Sequence, residues 1–493
     1  MYKYWCNLDE NIYIAETDQQ YKQYAGLNFN INILKKLSFL RMENTQLFLK
    51  EYCSEDTPKS LITNILETYA NSYTKNLEIN LHITRNKKIM TKKHKFKDKY
   101  VNWSNWRQFN NYENSSNFRK EVFDEFIIKT NHIAPYIDFR FKKISNVYEK
   151  FSRKNQFFEH LDLDPLKGYL FDEKFSYNQL YQFVQRLGLK ARKPFIEKLD
   201  FFSNLILNRA AEYHDDFYFF RNKIFADYEN IFHKINPIVE VKKILKSMNF
   251  NLSRISFDNV DRPNKYPSPI CFFVKIPTDI RILYKSENPY FDIQSCFHES
   301  GHAMHASSIA PDLDYWNKYF LPMGVAEIFS ILMERLTKNP IYLKSILSTT
   351  KIDNVFFEKL QQRTNFMELF FVTFYAANSL MKMEFWKQHL SIKKTNSLYN
   401  KLVKKFTNID LPGEYWMLHH ILPESVMYVP SYLIAAVRAK ELETILVSEF
   451  GDMWWSDKNS GKYLKKLMND GAEIDLTFSK LNSVAFIDEI TDN

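Results

Sequence analysis

From about residue 28 to residue 250, apolar positions recur at threes and fours with charged faces between them. This is the 3.6-residue period of amphipathic helices. The stretch FFSNLILNRAAEYHDDFYFFRNKIFADYENIF (201–232) shows the pattern and predicts helix. Breaks are expected near Pro58, Pro135, Pro165, Pro194 and Pro237. The texture changes between 254 and 290, which hold five of the sixteen prolines. There ICFFVKI is a short unbroken apolar run and RILYK alternates, which predicts strands over 270–276 and 280–284 and hence a small sheet. Helical period returns in FDIQSCFHESGHAMHASSIA, which ends before Pro311, and in VAEIFSILMERL, which follows the Pro322/Gly324 turn. In the last third, SYLIAAVRAKELETILVSEF is the strongest helical stretch.

Composition supports the helical reading. Only 9 glycines occur in 493 residues, too few for the tight turns of sandwiches, barrels or Rossmann-type folds. No repeat of fixed period and no low-complexity linker divides the chain. The expected organisation is an N-terminal helical region over 1–175 and a catalytic region over 176–493, joined as one continuous structure. The net charge of +9 is concentrated in TRNKKIMTKKHKFKDKY (84–100), where eight Lys/Arg face one Asp. No stacking-aromatic or groove-reading module accompanies this run, so it reads as a solvated face and no nucleic-acid partner is expected. Cys6, Cys53, Cys271 and Cys296 lack C-x-x-C spacing and read as reduced thiols. With no signal-peptide pattern and no long apolar run, a cytoplasmic protein without a membrane partner is expected.

The chemistry is concentrated in CFHESGHAMH (296–305). H-E-x-x-H arises by chance in about one or two such chains per hundred, so the surroundings have to decide its meaning. On a helix, residues four apart share a face, so His298 and His302 can aim at one ion. Glu299 is turned about 100° away, which suits a base acting on metal-bound water and not a third ligand. A catalytic zinc needs a third protein ligand and one open position. His305 rotates off the ligand face, and Ser308 stands where a metzincin would place its third histidine. Glu327 lies in the nearly all-apolar start of VAEIFSILMERL, where a glutamate either meets a cation or faces solvent; with H-E-x-x-H 25 residues before it, it is the favoured third ligand. Glu334, seven residues on, is placed to orient a ligand histidine. Two imidazoles and a carboxylate suit one Zn²⁺ ion.

These residues resemble the thimet oligopeptidase and oligoendopeptidase F group of zinc peptidases, the M3 family. HESGHAMH is similar to the group's H-E-x-G-H-x-x-H segment, AEIFSILME to its third-ligand helix, and HHILPESVMYVPSYLIAAVRA to a downstream segment where a histidine and two tyrosines face the metal. The resemblance covers about residues 254–445. It implies a mainly α, zincin-type helical fold with a small sheet beside the active-site helix and a deep substrate channel. It further implies roles in the site for Tyr428, Tyr432 and one of His419 and His420. Pro430 stands where an aromatic residue is frequent in the group. The activity implied is hydrolysis of short unstructured peptides. The alternatives are a helical zinc metallocarboxypeptidase and a non-catalytic peptide-binding scaffold that keeps the metal shell.

Overall fold

The computed structural model describes the chain except residues 1, 52, 54–56, 59–60, 71, 73–92, 97–98, 103–104, 155–163, 263, 267, 287–288, 348–352, 420–426 and 492–493. Two helices open it, α1 (Tyr2–Tyr24) and α2 (Ile31–Glu51). A short antiparallel hairpin follows, β1 (His94–Phe96) with β2 (Lys99–Val101). Then come α3 (Ser116–Lys154), α4 (Pro165–Asp172), α5 (Tyr177–Leu207) and α6 (Pro237–Ser247). The strands β3 (Ile255–Asp258), β4 (Ile270–Lys275) and β5 (Asp279–Leu283) precede α7 (Pro289–Ala306), α8 (Tyr315–Tyr319) and α9 (Met323–Leu336). The long helices α10 (Asn354–Gln388), α11 (Ile392–Thr407) and α12 (Val429–Phe450) follow, and the shorter helices α13 (Lys458–Met468) and α14 (Ser483–Thr491) end the mainly α architecture. No helix among the described residues is long and apolar enough to cross a membrane.

The prolines act in two ways. Pro165 and Pro237 occupy first turns, where an absent N–H costs nothing, behind the caps Asp164 and Asn236. Pro135 and Pro194 lie inside α3 and α5, contrary to the expected breaks. Each removes one backbone bond, a loss that packing along helices of 39 and 31 residues absorbs. The helix expected over 201–232 is also corrected. It stops at Leu207 with Asn208 in the left-handed conformation, and short turns follow. Of the basic run, residues 84–92, 97 and 98 lie outside the described residues; positions 94–96 and 99–100 belong to the hairpin. All four cysteines are free.

The chain forms two compact units, each from three separate stretches: Met1–Ile65, Tyr228–Gln361 and Ser431–Asn482, and then Leu66–Asp227, Gln362–Pro430 and Ser483–Asn493. The second has a phenylalanine core in which Phe195 stacks on Phe366 at 5.6 Å and Phe220 on Phe370 at 3.9 Å. Its buried Asp215 accepts from Arg119 (2.6 Å) and Arg209 (2.7 Å).

The first unit carries the sheet, in the order β3-β5-β4. β5 runs parallel to β3 and antiparallel to β4. Side chains alternate along β4. Phe272 and Val274 are buried on the α1 side, with Phe272 edge-on to Tyr21 and Tyr24. Cys271 and Phe273 therefore face α7. The sheet thus lies beside the motif helix, as expected. β5 is central, so the strand expected at 280–284 has no open edge; β4 is an edge strand.

Candidate metal centre

The site is built on α7 and α9, packed backbone to backbone. A Cβ at Gly301 would collide with the Phe329 carbonyl and the Ser330 Cα, so only glycine permits this approach. On either side, Phe297, Ala303 and Met304 of α7 and Ile328, Phe329 and Leu332 of α9 are fully buried. Each large apolar side chain so buried contributes about 1.5–3 kcal/mol. One stripe of α7 escapes full burial, at positions 291, 294, 295, 298, 299 and 302. This is helical spacing, and the stripe contains the three polar residues of the motif.

Glu327 reaches this stripe from the second turn of α9 and is only 1% exposed. Its Oε2 lies 3.2 Å from His298 Nε2, 3.6 Å from His302 Nε2 and 2.8 Å from the Ser330 hydroxyl one turn on. The three ligand-type side chains have donor atoms within 4.8 Å of one another. The imidazoles stand nearly perpendicular, with ring centroids 5.0 Å apart. Glu334 also lies on α9, with Oε2 3.1 Å from His298 Nδ1. A carboxylate accepts, so Nδ1 carries the proton and Nε2 is turned toward Glu327. The backbone carbonyl of Ala326 accepts from His302.

The electrostatics fit a cation at this focus. Burial alone would lower His298, but hydrogen bonds to Glu327 and Glu334 outweigh it and raise the imidazole well above its ordinary value. A positive charge is therefore drawn between the carboxylates even without a metal. Burial lowers His302 to about 4, which leaves a neutral ring with a lone pair to offer. Burial raises Glu299 to about 7; Glu327 adds to the rise, while His298 and the backbone N–H of Cys271 oppose it. Two imidazole nitrogens and one carboxylate oxygen are a donor set suited to zinc.

The hydrogen bond from Cys271 aims Glu299 along the β4 edge. Phe273, two residues on, brings its ring to 6.4 Å from that of His302. These two wall positions carry no signal in the sequence beyond the strand itself. His305 is 1% exposed, with its ring 4.7 Å from Phe329 and burial holding it down to about 3. It is a neutral core residue. Tyr432 is half-buried on the first turn of α12. Along α12, Arg438 donates to the Gly324 carbonyl (3.2 Å) and Glu443 accepts from Arg335 (2.6 Å), so this helix flanks α9. Tyr428, also half-buried, precedes α12. His419 ends the short helix Trp416–His419, and His420 lies outside the described residues.

By sequence, the chain matches no protein-family model and no curated protein. By structure, it is similar to PZ peptidase A with inhibitor 2, at 14% identity and a TM-score of 0.57 over 99% of this chain and 82% of that one. A protein assigned as oligoendopeptidase F from Bacillus anthracis str. Ames gives 13%, 0.57, 98% and 95% in the same terms. The M32 carboxypeptidase from Deinococcus radiodurans R1 gives 13%, 0.55, 99% and 98%. At these identities the likeness is one of fold: the chain shares the mainly helical fold of these proteins.

Proposed function

We propose that the protein is a zinc-dependent peptidase that hydrolyses peptide bonds in short unstructured peptides, with His298, His302 and Glu327 as the metal ligands. The observation that carries this reading is the convergence of the two imidazoles and the buried Glu327, with Glu299 beside them under the β4 edge. When bound, zinc supplies Lewis-acid polarisation of a carbonyl and a water acidic enough to ionise near neutral pH. Glu299 accepts the proton of the attacking water and delivers it to the leaving amine. Its hydrogen bond to the Cys271 N–H keeps the carboxylate from rotating away from the reacting bond. The β4 edge holds an extended peptide by strand addition beside Phe273. Tyr428, Tyr432 and one of His419 and His420 are the candidate donors to the developing oxyanion, each worth about 10² to 10³ in rate if correctly placed.

Glu299→Gln tests this directly. Zinc should stay stoichiometric while peptide cleavage, followed by mass spectrometry, falls by about 10² to 10⁴. Cleavage unaffected by the substitution would refute the mechanism, and a protein with zinc but no cleavage in either form would be a binding scaffold. The likeness to an M32 carboxypeptidase over 98% of that chain supports a second mode of attack. The same peptides distinguish the two: internal fragments mark an endopeptidase, and release of single C-terminal residues marks a carboxypeptidase.

A further inference from the structure

We infer that Lys338 is a positioning residue for the metal centre, acting through Glu334 on His298. The inference rests on the metal-binding reading of this site. The two oxygens of Glu334 have different partners. Oε2 accepts a hydrogen bond from His298 Nδ1 at 3.1 Å, and Oε1 accepts from Lys338 Nζ at 2.7 Å. A carboxylate is planar and rigid, so holding one oxygen sets the direction of the other. Glu334 needs such a hold. It has three rotatable bonds, and its side chain keeps 26% of its exposure, so solvent competes with His298 for it.

Lys338 is suited to the task because its own backbone is tied down. It lies two residues past the end of α9, where its N–H bonds the Arg335 carbonyl at 3.0 Å. The neighbouring Thr337 hydroxyl donates to the Glu334 carbonyl at 2.6 Å. The ammonium therefore reaches back one turn from a closed helix end, with its side chain 16% exposed. The chain of contacts runs Lys338 to Glu334 to His298 Nδ1, leaving Nε2 aimed at Glu327 Oε2. A basic residue at a helix C-terminus also stabilises the helix, but that role alone would leave metal affinity unchanged.

The test measures zinc dissociation constants by competition with a chromogenic chelator, on the full chain. Lys338→Met should weaken zinc binding about tenfold, the lower end of what outer partners of a ligand histidine contribute. Lys338→Arg should stay within about threefold of wild type, because it keeps the charged donor. In a Glu334→Gln background, Lys338→Met should add less than about twofold, since the path to His298 is already cut. Thermal unfolding of the metal-free variants, unchanged from wild type, would show that the affinity loss is not a loss of folded protein. If Lys338→Met does not fold, Lys338→Ala also removes the donor to Glu334 and gives the same readout. Wild-type affinity in Lys338→Met, or an undiminished tenfold loss in the Glu334→Gln background, would overturn the inference and leave the metal reading intact. If wild type binds no zinc that His298→Ala abolishes, the metal reading fails and the inference with it.

Discussion

A Cβ at position 301 would meet main-chain atoms of α9, and main chain cannot rotate out of the way as a side chain can. Gly301→Ala must therefore push α7 and α9 apart. Overpacking of this kind typically costs about 1–3 kcal/mol. The displacement acts directly on the distance between Glu327 and the histidine pair. We expect a lower unfolding temperature together with a zinc affinity reduced by about tenfold or more, read by circular dichroism and zinc titration. His305 makes the opposite case, three residues past the proposed ligand His302 yet packed on Phe329. His305→Leu should keep zinc stoichiometric, whereas His302→Ala should lose the metal; a loss in both would assign His305 to the ligand set. The possible ligands and base in H-E-x-x-H were legible from spacing alone, because a helix converts four residues into one face. The link from Cys271 to Glu299 was not, since a strand's backbone N–H has no sequence signature.

At the scale of elements, β4 holds its place by alternation. Phe272 and Val274 bury against α1, and the intervening residues turn to α7. Phe272→Ala should cost about 3–5 kcal/mol and should loosen the edge beside Glu299, so urea denaturation and peptide cleavage should change together. Asp258 ties β3 to α1 and is the pH-sensitive part of this arrangement. Burial alone would raise its carboxyl. Hydrogen bonds from Arg262 (2.9 Å) and Tyr21 (2.9 Å), with the charge of Lys265, outweigh burial and hold it below its ordinary 3.8. A carboxyl lower in the folded than in the unfolded state contributes stability in full above the unfolded value. That contribution is lost as pH falls through the folded value. Urea denaturation at several pH values should therefore show wild type losing stability below about pH 4 more steeply than Asp258→Asn. The strands over 270–276 and 280–284 were predictable from their proline boundaries, but which of them is the edge was not, because strand order depends on where β3 inserts.

At the scale of the whole molecule, each unit has its own buried core. In the second unit, Asp215 has no exposure and pairs with the buried Arg119 as well as with Arg209, so Asp215→Asn removes the carboxylate charge that faces the buried Arg119 guanidinium. Removing one partner of a buried ion pair typically costs about 3–5 kcal/mol. We expect a clearly lower thermal unfolding temperature for this variant, with zinc stoichiometry at the first unit's site retained in the folded protein. Each unit is assembled from three separated stretches, an interleaving that no local pattern reports.

Helix content, the small sheet and the residues able to bind a metal follow from the sequence itself, because periodicity, proline placement and ligand spacing are local properties of a chain. Pro135, Pro194 and the stretch after Leu207 mark the limit of that reading, since packing of long helices and a left-handed Asn208 decided those boundaries. Only the tertiary structure brought Glu327 to within 3.2 Å of His298, set Glu334 behind it and placed β4 above Glu299. Those placements depend on two helices approaching at Gly301 from positions 25 or more residues apart, and long-range packing of that kind is written in no single stretch of the sequence.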